Sequence, residues 1–228
     1  MSTPRRLLLV SMLALPGALL AQETPDREVH QEVEADAGKT AWEFDASLWG
    51  YFPPDDRHYA QPTVIANHGG LHLEGRYNYE GWKTGSVWVG WNTTVGGAPR
   101  ADGAGEGLRL DATLMAGGVF GDTNGVAPGY EMTVAWKGFE LYSEGEYVVD
   151  VEDSDNNYFY NWAQLGWSPW EWLTFGFASQ RTRAYHTGLD VQRGPFVGFS
   201  YKSVALTVYV FNPGWETPTV VGSLSVSF

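Results

Sequence analysis

From residue 41 onward, apolar and polar residues alternate along most of the chain. This period of two is typical of a β-strand whose two faces meet different surroundings. The clearest example is residues 71–80, where one parity holds Leu71, Leu73, Gly75, Tyr77 and Tyr79 and the other holds His72, Glu74, Arg76, Asn78 and Glu80. Turn-forming pairs such as Lys137-Gly138 separate successive segments. The pattern predicts antiparallel strands joined by hairpins.

Twelve segments show this pattern. They cover residues 41–52, 58–67, 71–80, 84–95, 108–120, 130–137, 139–150, 157–167, 170–181, 193–201, 204–211 and 217–228. Residues 58–67 are the weakest segment because Pro62 interrupts them. Bacterial membrane barrels have an even number of strands and short periplasmic turns. Counted back from residue 228, the tight turns at 202–203, 168–169 and 137–138 fall on the periplasmic side, and so does 67–70 if 58–67 is a strand. Without that strand the number would be odd. The long connection 96–107 is the exception on that side. We predict twelve strands, with ten as the alternative if weak segments belong to loops.

The composition narrows the fold class. Aromatic residues make up 15% of the chain and there are 28 glycines, which suits either a soluble β-sandwich or a membrane barrel. Several aromatics lie near predicted strand ends, where a membrane barrel carries interfacial girdles: Trp42, Phe52, Tyr79, Trp136, Trp167, Trp170 and Tyr201. We therefore predict an all-β, antiparallel up-and-down transmembrane β-barrel. A soluble, lectin-like periplasmic sandwich is the alternative.

The last strand sets the direction of the others. Its apolar parity is predicted to face lipid and consists of Val220, Gly222, Leu224, Val226 and Phe228, while Ser223, Ser225 and Ser227 face the lumen. A strand of this kind with a final Phe resembles the terminal strand of bacterial outer-membrane barrels, whose last aromatic is recognised by the barrel-assembly machinery. The resemblance implies that Leu224, Val226 and Phe228 form an assembly signal.

The first 40 residues have a different texture. Arg5 and Arg6 precede an apolar run at residues 7–15 and a small-residue stretch ending at Ala21, the pattern of a secretory signal peptide. Residues 22–40 are polar and acidic and are expected to form a flexible periplasmic segment. The predicted organisation is a signal peptide at 1–21, this segment at 22–40 and the barrel at 41–228. We expect a Gram-negative outer-membrane location, contact with outer-membrane lipid and lipopolysaccharide, and a monomer.

Charge and cysteine content exclude several functions. The chain has 14 basic and 27 acidic residues, and the predicted signal peptide contains two of the former and none of the latter. This acidic balance argues against nucleic-acid binding. Cysteine is absent, so that disulfides, thiolate metal sites and a lipoprotein anchor are excluded. No cofactor is expected.

The polar parities should face the barrel lumen. The candidate lining residues are Glu74, Arg76, Glu80, Arg109, Asp111, Glu131, Glu140, Glu144 and Glu146. Charges confined in this way must pair, be solvated by a channel or change protonation state. Two interpretations remain open: a narrow, porin-like channel for small solutes that favours cations, and a barrel closed by its own salt bridges.

Other chemistry has weak support. The acids Asp150, Glu152, Asp153 and Asp155 could collect divalent cations at the surface, but this loop lacks the turn glycine and last glutamate of a calcium loop. Neither the G-x-S-x-G nor the H-E-x-x-H pattern occurs, and we predict a protein that is not an enzyme. A barrel enzyme acting on lipid or peptide at the outer rim, with His58, His186 and Asp190, is the alternative.

Three stretches carry a wider resemblance. Residues 71–80 read L-H-L-E-G-R-Y-N-Y-E, residues 138–150 read G-F-E-L-Y-S-E-G-E-Y-V-V-D, and residues 180–185 read Q-R-T-R-A-Y. Together they resemble a family of uncharacterised, porin-like bacterial outer-membrane β-barrels. The resemblance implies the fold and the location, and it assigns no activity and no catalytic residue.

Overall fold

A computed structural model describes residues 41–54, 56–97, 107–184, 190–214 and 218–228, with the backbone alone for 182–184 and 190. The predicted signal peptide and the acidic segment 22–40 lie outside the described residues. No helix in the described ranges is long and apolar enough to cross a membrane.

Twelve antiparallel strands form one closed barrel, in which every strand pairs with its neighbours in sequence and β1 pairs with β12. The strands are β1 Glu43–Phe52, β2 Tyr59–His68, β3 Leu71–Tyr77, β4 Thr84–Gly96, β5 Arg109–Gly121, β6 Gly125–Trp136, β7 Phe139–Asp150, β8 Tyr158–Trp170, β9 Leu173–Ala184, β10 Asp190–Tyr201, β11 Val204–Phe211 and β12 Thr219–Ser227. One short 3-10 helix, Ser154–Asn156, follows β7. The prediction of a twelve-stranded up-and-down barrel is confirmed.

The weak second segment is a strand. Pro62 pairs with Leu48 of β1 and lies just beyond the last pair between β2 and β3, which joins Thr63 to Arg76. At this position β2 has a ladder on one side only. A residue without a backbone N–H is tolerated at such an edge.

The tight turns gather at one end of the barrel, where β1 begins and β12 ends; we call this end the terminal mouth. Lys137 and Gly138 both have positive φ, at 50° and 81°, and close a two-residue hairpin between Trp136 and Phe139. Lys202-Ser203 likewise joins β10 to β11. The short turns predicted at these two sites are confirmed.

One predicted turn is wrong. The predicted segments 157–167 and 170–181 place a turn at Ser168-Pro169, but β8 continues to Trp170 and the chain turns at Glu171-Trp172. Ser168 keeps β8 attached to its neighbours, because its N–H donates to the Gly138 carbonyl at 2.8 Å and its hydroxyl lies 2.7 Å from that of Thr174. Pro169, which has no N–H to donate, falls in the register shift between Trp167 and Trp170.

The apolar parity faces outward, which is the reverse of a soluble sandwich. In β12, Leu224 and Phe228 are 46% and 75% exposed, whereas Ser223 is 2% exposed. Large apolar side chains are exposed along the whole outer surface, including Leu48, Val64, Val87 and Leu114. Burying such a belt in hydrocarbon is favourable, and a closed barrel leaves no unpaired strand edge there.

An aromatic girdle surrounds the terminal mouth. Stacked rings include Phe44 on Phe228 at 5.8 Å and Trp172 on Phe199 at 6.2 Å between centroids. Of the aromatics predicted to face outward, Tyr79 is the exception and lies inside the barrel. β3 ends at Tyr77, and the positive φ of Asn78, at 58°, breaks the alternation so that Tyr79 turns toward the lumen.

Candidate functional site

The predicted lining residues lie on the inner parity of four strands and one loop. Glu74 and Arg76 lie on β3, Arg109 and Asp111 on β5, Glu131 on β6, and Glu140, Glu144 and Glu146 on β7, while Glu80 follows β3. Arg109 and Asp111 are half-exposed at the terminal mouth. Deeper in the barrel, Glu74, Arg76, Glu131 and Glu146 are buried, as is Glu80.

Arg76 is the centre of this buried group. Its Nε and Nη2 donate to the two oxygens of Glu74 at 2.7 and 2.8 Å, and its Nη1 donates to Glu146 across the lumen at 3.0 Å. Its Nη2 lies 3.6 Å from Glu131. The planar guanidinium also faces the ring of Tyr79 at 4.4 Å. One cation therefore links three strands across the interior.

Neutral donors hold two further glutamates. Both Tyr79 and Tyr142 donate their hydroxyls to Glu144, the latter at 2.6 Å. Glu80 accepts hydrogen bonds from the Ser86 hydroxyl at 2.5 Å and from Trp88 Nε1 at 3.3 Å. These two carboxylates accept hydrogen bonds from hydroxyl and indole groups, and not from a basic residue.

Carboxylates outnumber cations in this buried group, which we call the glutamate cluster: Glu74, Glu80, Glu131, Glu144 and Glu146 around Arg76. Three of its buried oxygens accept no hydrogen bond, namely Oε2 of Glu80 and Oε1 of Glu131 and Glu146. Buried carboxylate oxygens without a donor are unfavourable unless a proton or another cation approaches them.

Aromatic side chains fill the other half of the lumen. Trp162 lies edge-on to Tyr209 at 5.2 Å and to Phe211 at 5.4 Å, and Trp49 stacks on Tyr209 at 5.6 Å. Sequence reasoning missed this group. β8 carries aromatics on both parities and β11 carries apolar residues on both, so alternation gave no inward face for either strand.

A cavity of about 170 Å³ lies at the terminal mouth. Its rim includes Glu43, Thr94 and an ion pair between Arg109 and Asp111, whose Nε and Oδ2 are 2.8 Å apart. Its inner end reaches His72 and Glu131. A solute entering from this mouth would therefore meet the glutamate cluster.

Sequence reasoning also left His72 out of the candidate lining residues. Its Nδ1 lies 2.9 Å from Asn67 Oδ1, and its Nε2 lies 3.4 Å from Glu74 Oε2. His72, Glu74 and Glu131 each offer one atom within 4.8 Å of the others, a spacing from which a metal ion could be bound. The signal was available, because His72 shares the parity of Glu74 and Arg76.

The acidic side chains of the loop after β7 accept hydrogen bonds from the backbone of the same loop. Asp150 accepts hydrogen bonds from the N–H groups of Glu152 and Asp153 at 2.8 and 3.0 Å, and Asp153 accepts one from Asp155 at 3.0 Å. Asp150 thus stabilises the turn after β7, and Asp153 caps the short helix that follows. Of the residues suggested for a rim enzyme, His58 packs against Phe52, with ring centroids 5.4 Å apart. His186 and the Asp190 side chain lie outside the described residues.

No protein-family model matches the chain, and no curated protein sequence matches it. Among solved structures, the KdgM porin superposes with a TM-score of 0.55 at 9% identity, covering 81% of this chain and 99% of that one. The same figures hold for the KdgM porin in complex with disordered oligogalacturonate. Pseudomonas aeruginosa OpdQ matches with a TM-score of 0.43 at 11% identity, covering 81% of this chain and 60% of that one. The chain thus shares the barrel fold of the KdgM porin.

Proposed function

We propose that this chain is an outer-membrane barrel forming a narrow channel that passes small cations in preference to anions. The observation that carries the proposal is the glutamate cluster, in which five inward-facing carboxylates share the lumen with a single guanidinium and three of them contact it. Rings of Asp and Glu side chains select cations in channels because they replace part of the ion's hydration. The apolar outer belt and closed fold support the membrane location.

The geometry also supports an entry route. The cavity at the terminal mouth connects the rim with His72 and Glu131, and in the proposed orientation this mouth faces the periplasm. Beyond it, the aromatic rings leave the charged half of the lumen as the polar route. A twelve-stranded barrel whose lumen is partly filled by side chains favours ions and water over larger solutes.

The ligand of the KdgM porin does not suit the acidic lumen of this chain. The KdgM porin is known in complex with oligogalacturonate, a sugar polymer that itself bears carboxylates. Such a polymer would meet like charge at the glutamate cluster. The acidic lumen therefore supports cations as the permeating class for this chain.

Planar-bilayer recording tests the proposal. Folded protein in a KCl gradient should give a reversal potential of the sign expected for K⁺ selectivity. Glu144→Gln and Glu140→Gln should each lower the K⁺/Cl⁻ permeability ratio, because each replaces an inward-facing carboxyl group by a neutral amide. Glu171→Gln is the matched control, since Glu171 lies exposed in the β8–β9 turn outside the lumen.

Two results would overturn the proposal. The first is the absence of conductance from protein that fractionates with outer membranes and shows the heat-modifiable gel mobility of a folded barrel. The second is a selectivity that Glu144→Gln and Glu140→Gln leave at the Glu171→Gln value. The first result would favour a barrel closed by its own side chains.

A further inference from the structure

The ring of His72 is held by a chain of hydrogen bonds. The Thr113 hydroxyl donates to Asn92 Oδ1 at 2.6 Å, and Asn92 Nδ2 donates to Asn67 Oδ1 at 2.7 Å. The same Asn67 oxygen lies 2.9 Å from His72 Nδ1. Because that oxygen can only accept, Nδ1 carries a hydrogen and donates it. In the neutral imidazole, Nε2 then carries a lone pair.

The Nε2 atom of His72 faces a carboxylate oxygen. His72 Nε2 lies 3.4 Å from Glu74 Oε2, and both side chains are 3% exposed. Two acceptors facing each other in a buried site repel unless a positively charged species lies between them. Arg76 Nη2 donates to the same Oε2 at 2.8 Å, but among the described residues no hydrogen bond joins its guanidinium to His72 Nε2.

A third oxygen points to the same place. Glu131 is 7% exposed, and its Oε1 accepts no hydrogen bond, having only Arg76 Nη2 at 3.6 Å. The potential ligand atoms of His72, Glu74 and Glu131 all lie within 4.8 Å of one another. A buried acceptor without a donor, next to a nitrogen lone pair, is a second observation that indicates a cation.

We propose that His72, Glu74 and Glu131 bind a divalent cation of the Zn²⁺ type, with its fourth position open to the cavity at the terminal mouth. Imidazole nitrogen together with carboxylate oxygen suits this class of ion, whereas Mg²⁺ and Ca²⁺ take oxygen alone. The hydrogen bond from His72 Nδ1 to Asn67 is the outer-shell contact typical of a metal-binding histidine. Ligands of a tetrahedral ion stand about 3.3 Å apart, so that Glu131 would move inward slightly.

Charge and access agree with this assignment. A divalent cation would offset part of the carboxylate excess of the glutamate cluster, including the Glu131 oxygen that Arg76 reaches only at 3.6 Å. His72 and Glu131 both line the cavity, which gives the ion a path from the terminal mouth. The site does not depend on ion conduction, and its test therefore does not depend on the proposed channel activity.

Isothermal titration of the full chain, folded in micelles and stripped with chelator, tests the site with Zn²⁺ alone. One Zn²⁺ per barrel is expected. His72→Gln and Glu131→Gln should each weaken binding roughly tenfold or more, while His68→Gln, a histidine in the same hairpin but outside the ligand set, should bind as the parent does. An equal concentration of Mg²⁺ should not compete.

Two results would overturn the assignment: no Zn²⁺ binding to the folded parent, or equal binding by the parent and His72→Gln. A measurement on the unmodified chain guards against variants that fail to fold. With ¹⁵N-labelled histidine, Zn²⁺ should shift the Nε2 resonance of His72 while its Nδ1 keeps its hydrogen. A shift confined to the other histidines would show that the metal binds elsewhere.

Discussion

Arg76 is the residue on which the charge balance of the buried lumen depends. Its three carboxylate partners are Glu74, Glu131 and Glu146, and both its own side chain and those of its partners are almost inaccessible to solvent. Removing one member of a buried ion pair leaves its partners without compensation, which costs more than the pair itself contributes.

Arg76→Met should therefore lower the free energy of unfolding by about 3–5 kcal/mol. Arg109→Met is the matched control, because the Arg109–Asp111 pair at the terminal mouth is partly solvated and such pairs contribute about 0–1 kcal/mol. Urea unfolding followed by tryptophan fluorescence in micelles measures both. Equal destabilisation by the two substitutions would contradict the central role of Arg76.

Residue positions in the lumen were predictable where alternation was strict. Glu74 and Arg76 follow from the parity of β3, but Tyr79 does not, because the left-handed Asn78 changes the direction of the side chains that follow. The partners of Arg76 on β6 and β7 were not predictable either. Parity shows which residues face inward, whereas cross-lumen contacts such as Arg76–Glu146 depend on the diameter and stagger of the closed barrel.

At the scale of elements, the junction of β1 and β12 closes the barrel. Phe228 exchanges two backbone hydrogen bonds with Phe44, each at 2.9 Å, and its ring stacks on that of Phe44. The neighbouring Ser227 hydroxyl donates to Asp45 at 2.5 Å. Phe228 thus has a structural role at this junction, separate from the role as an assembly signal that the sequence resemblance implies.

Two variants separate these roles. Phe228→Ala keeps the backbone pair with Phe44 and removes the ring, whereas deletion of Phe228 removes both. If the ring is the assembly signal, both variants should accumulate poorly in the outer membrane, while Phe228→Ala should refold in detergent at the parental yield. Phe199→Ala, which removes another exposed ring of the same girdle, is the control. Normal membrane yield of Phe228→Ala would contradict the signal.

Element boundaries were predictable where tight turns define them and not where packing does. β7 and β11 begin and end as predicted, since two-residue turns fix their starts. β6 begins at Gly125, five residues before the predicted start. The prediction missed residues 125–129 because they show no alternation of apolar and polar side chains. Trp88 occupies the space there: a Cβ on Gly129 would lie 2.9 Å from its ring. Pro128 also interrupts the ladder to β7.

At the scale of the whole molecule, the sequence pattern identified the fold because a closed barrel divides residues into two surfaces. Strict alternation assigns Leu48 and Leu224 to one surface and Ser47 and Ser223 to the other. The same alternation would suit a sandwich if the apolar surface were buried. The closed topology and the outward apolar belt distinguish the two folds.

The outward belt predicts how the barrel responds to a charge. Leu48 lies mid-strand in β1, half-exposed and paired with Leu224 and Pro62. In a bilayer, Leu48→Arg should lower the free energy of unfolding by about 2–4 kcal/mol, because an arginine at mid-depth of a membrane barrel is poorly solvated. On a water-exposed surface the same substitution would change the free energy of unfolding by no more than about 0.5 kcal/mol.

Reversible urea unfolding of protein inserted in lipid vesicles measures this difference. Val151→Arg is the control, since Val151 is exposed in the connection after β7, beyond the strands, and should change stability little. If Leu48→Arg is as well tolerated as Val151→Arg, the apolar belt does not face hydrocarbon. A loss confined to Leu48→Arg would identify lipid as the medium around the barrel, and therefore the lumen as the place where its charged side chains act.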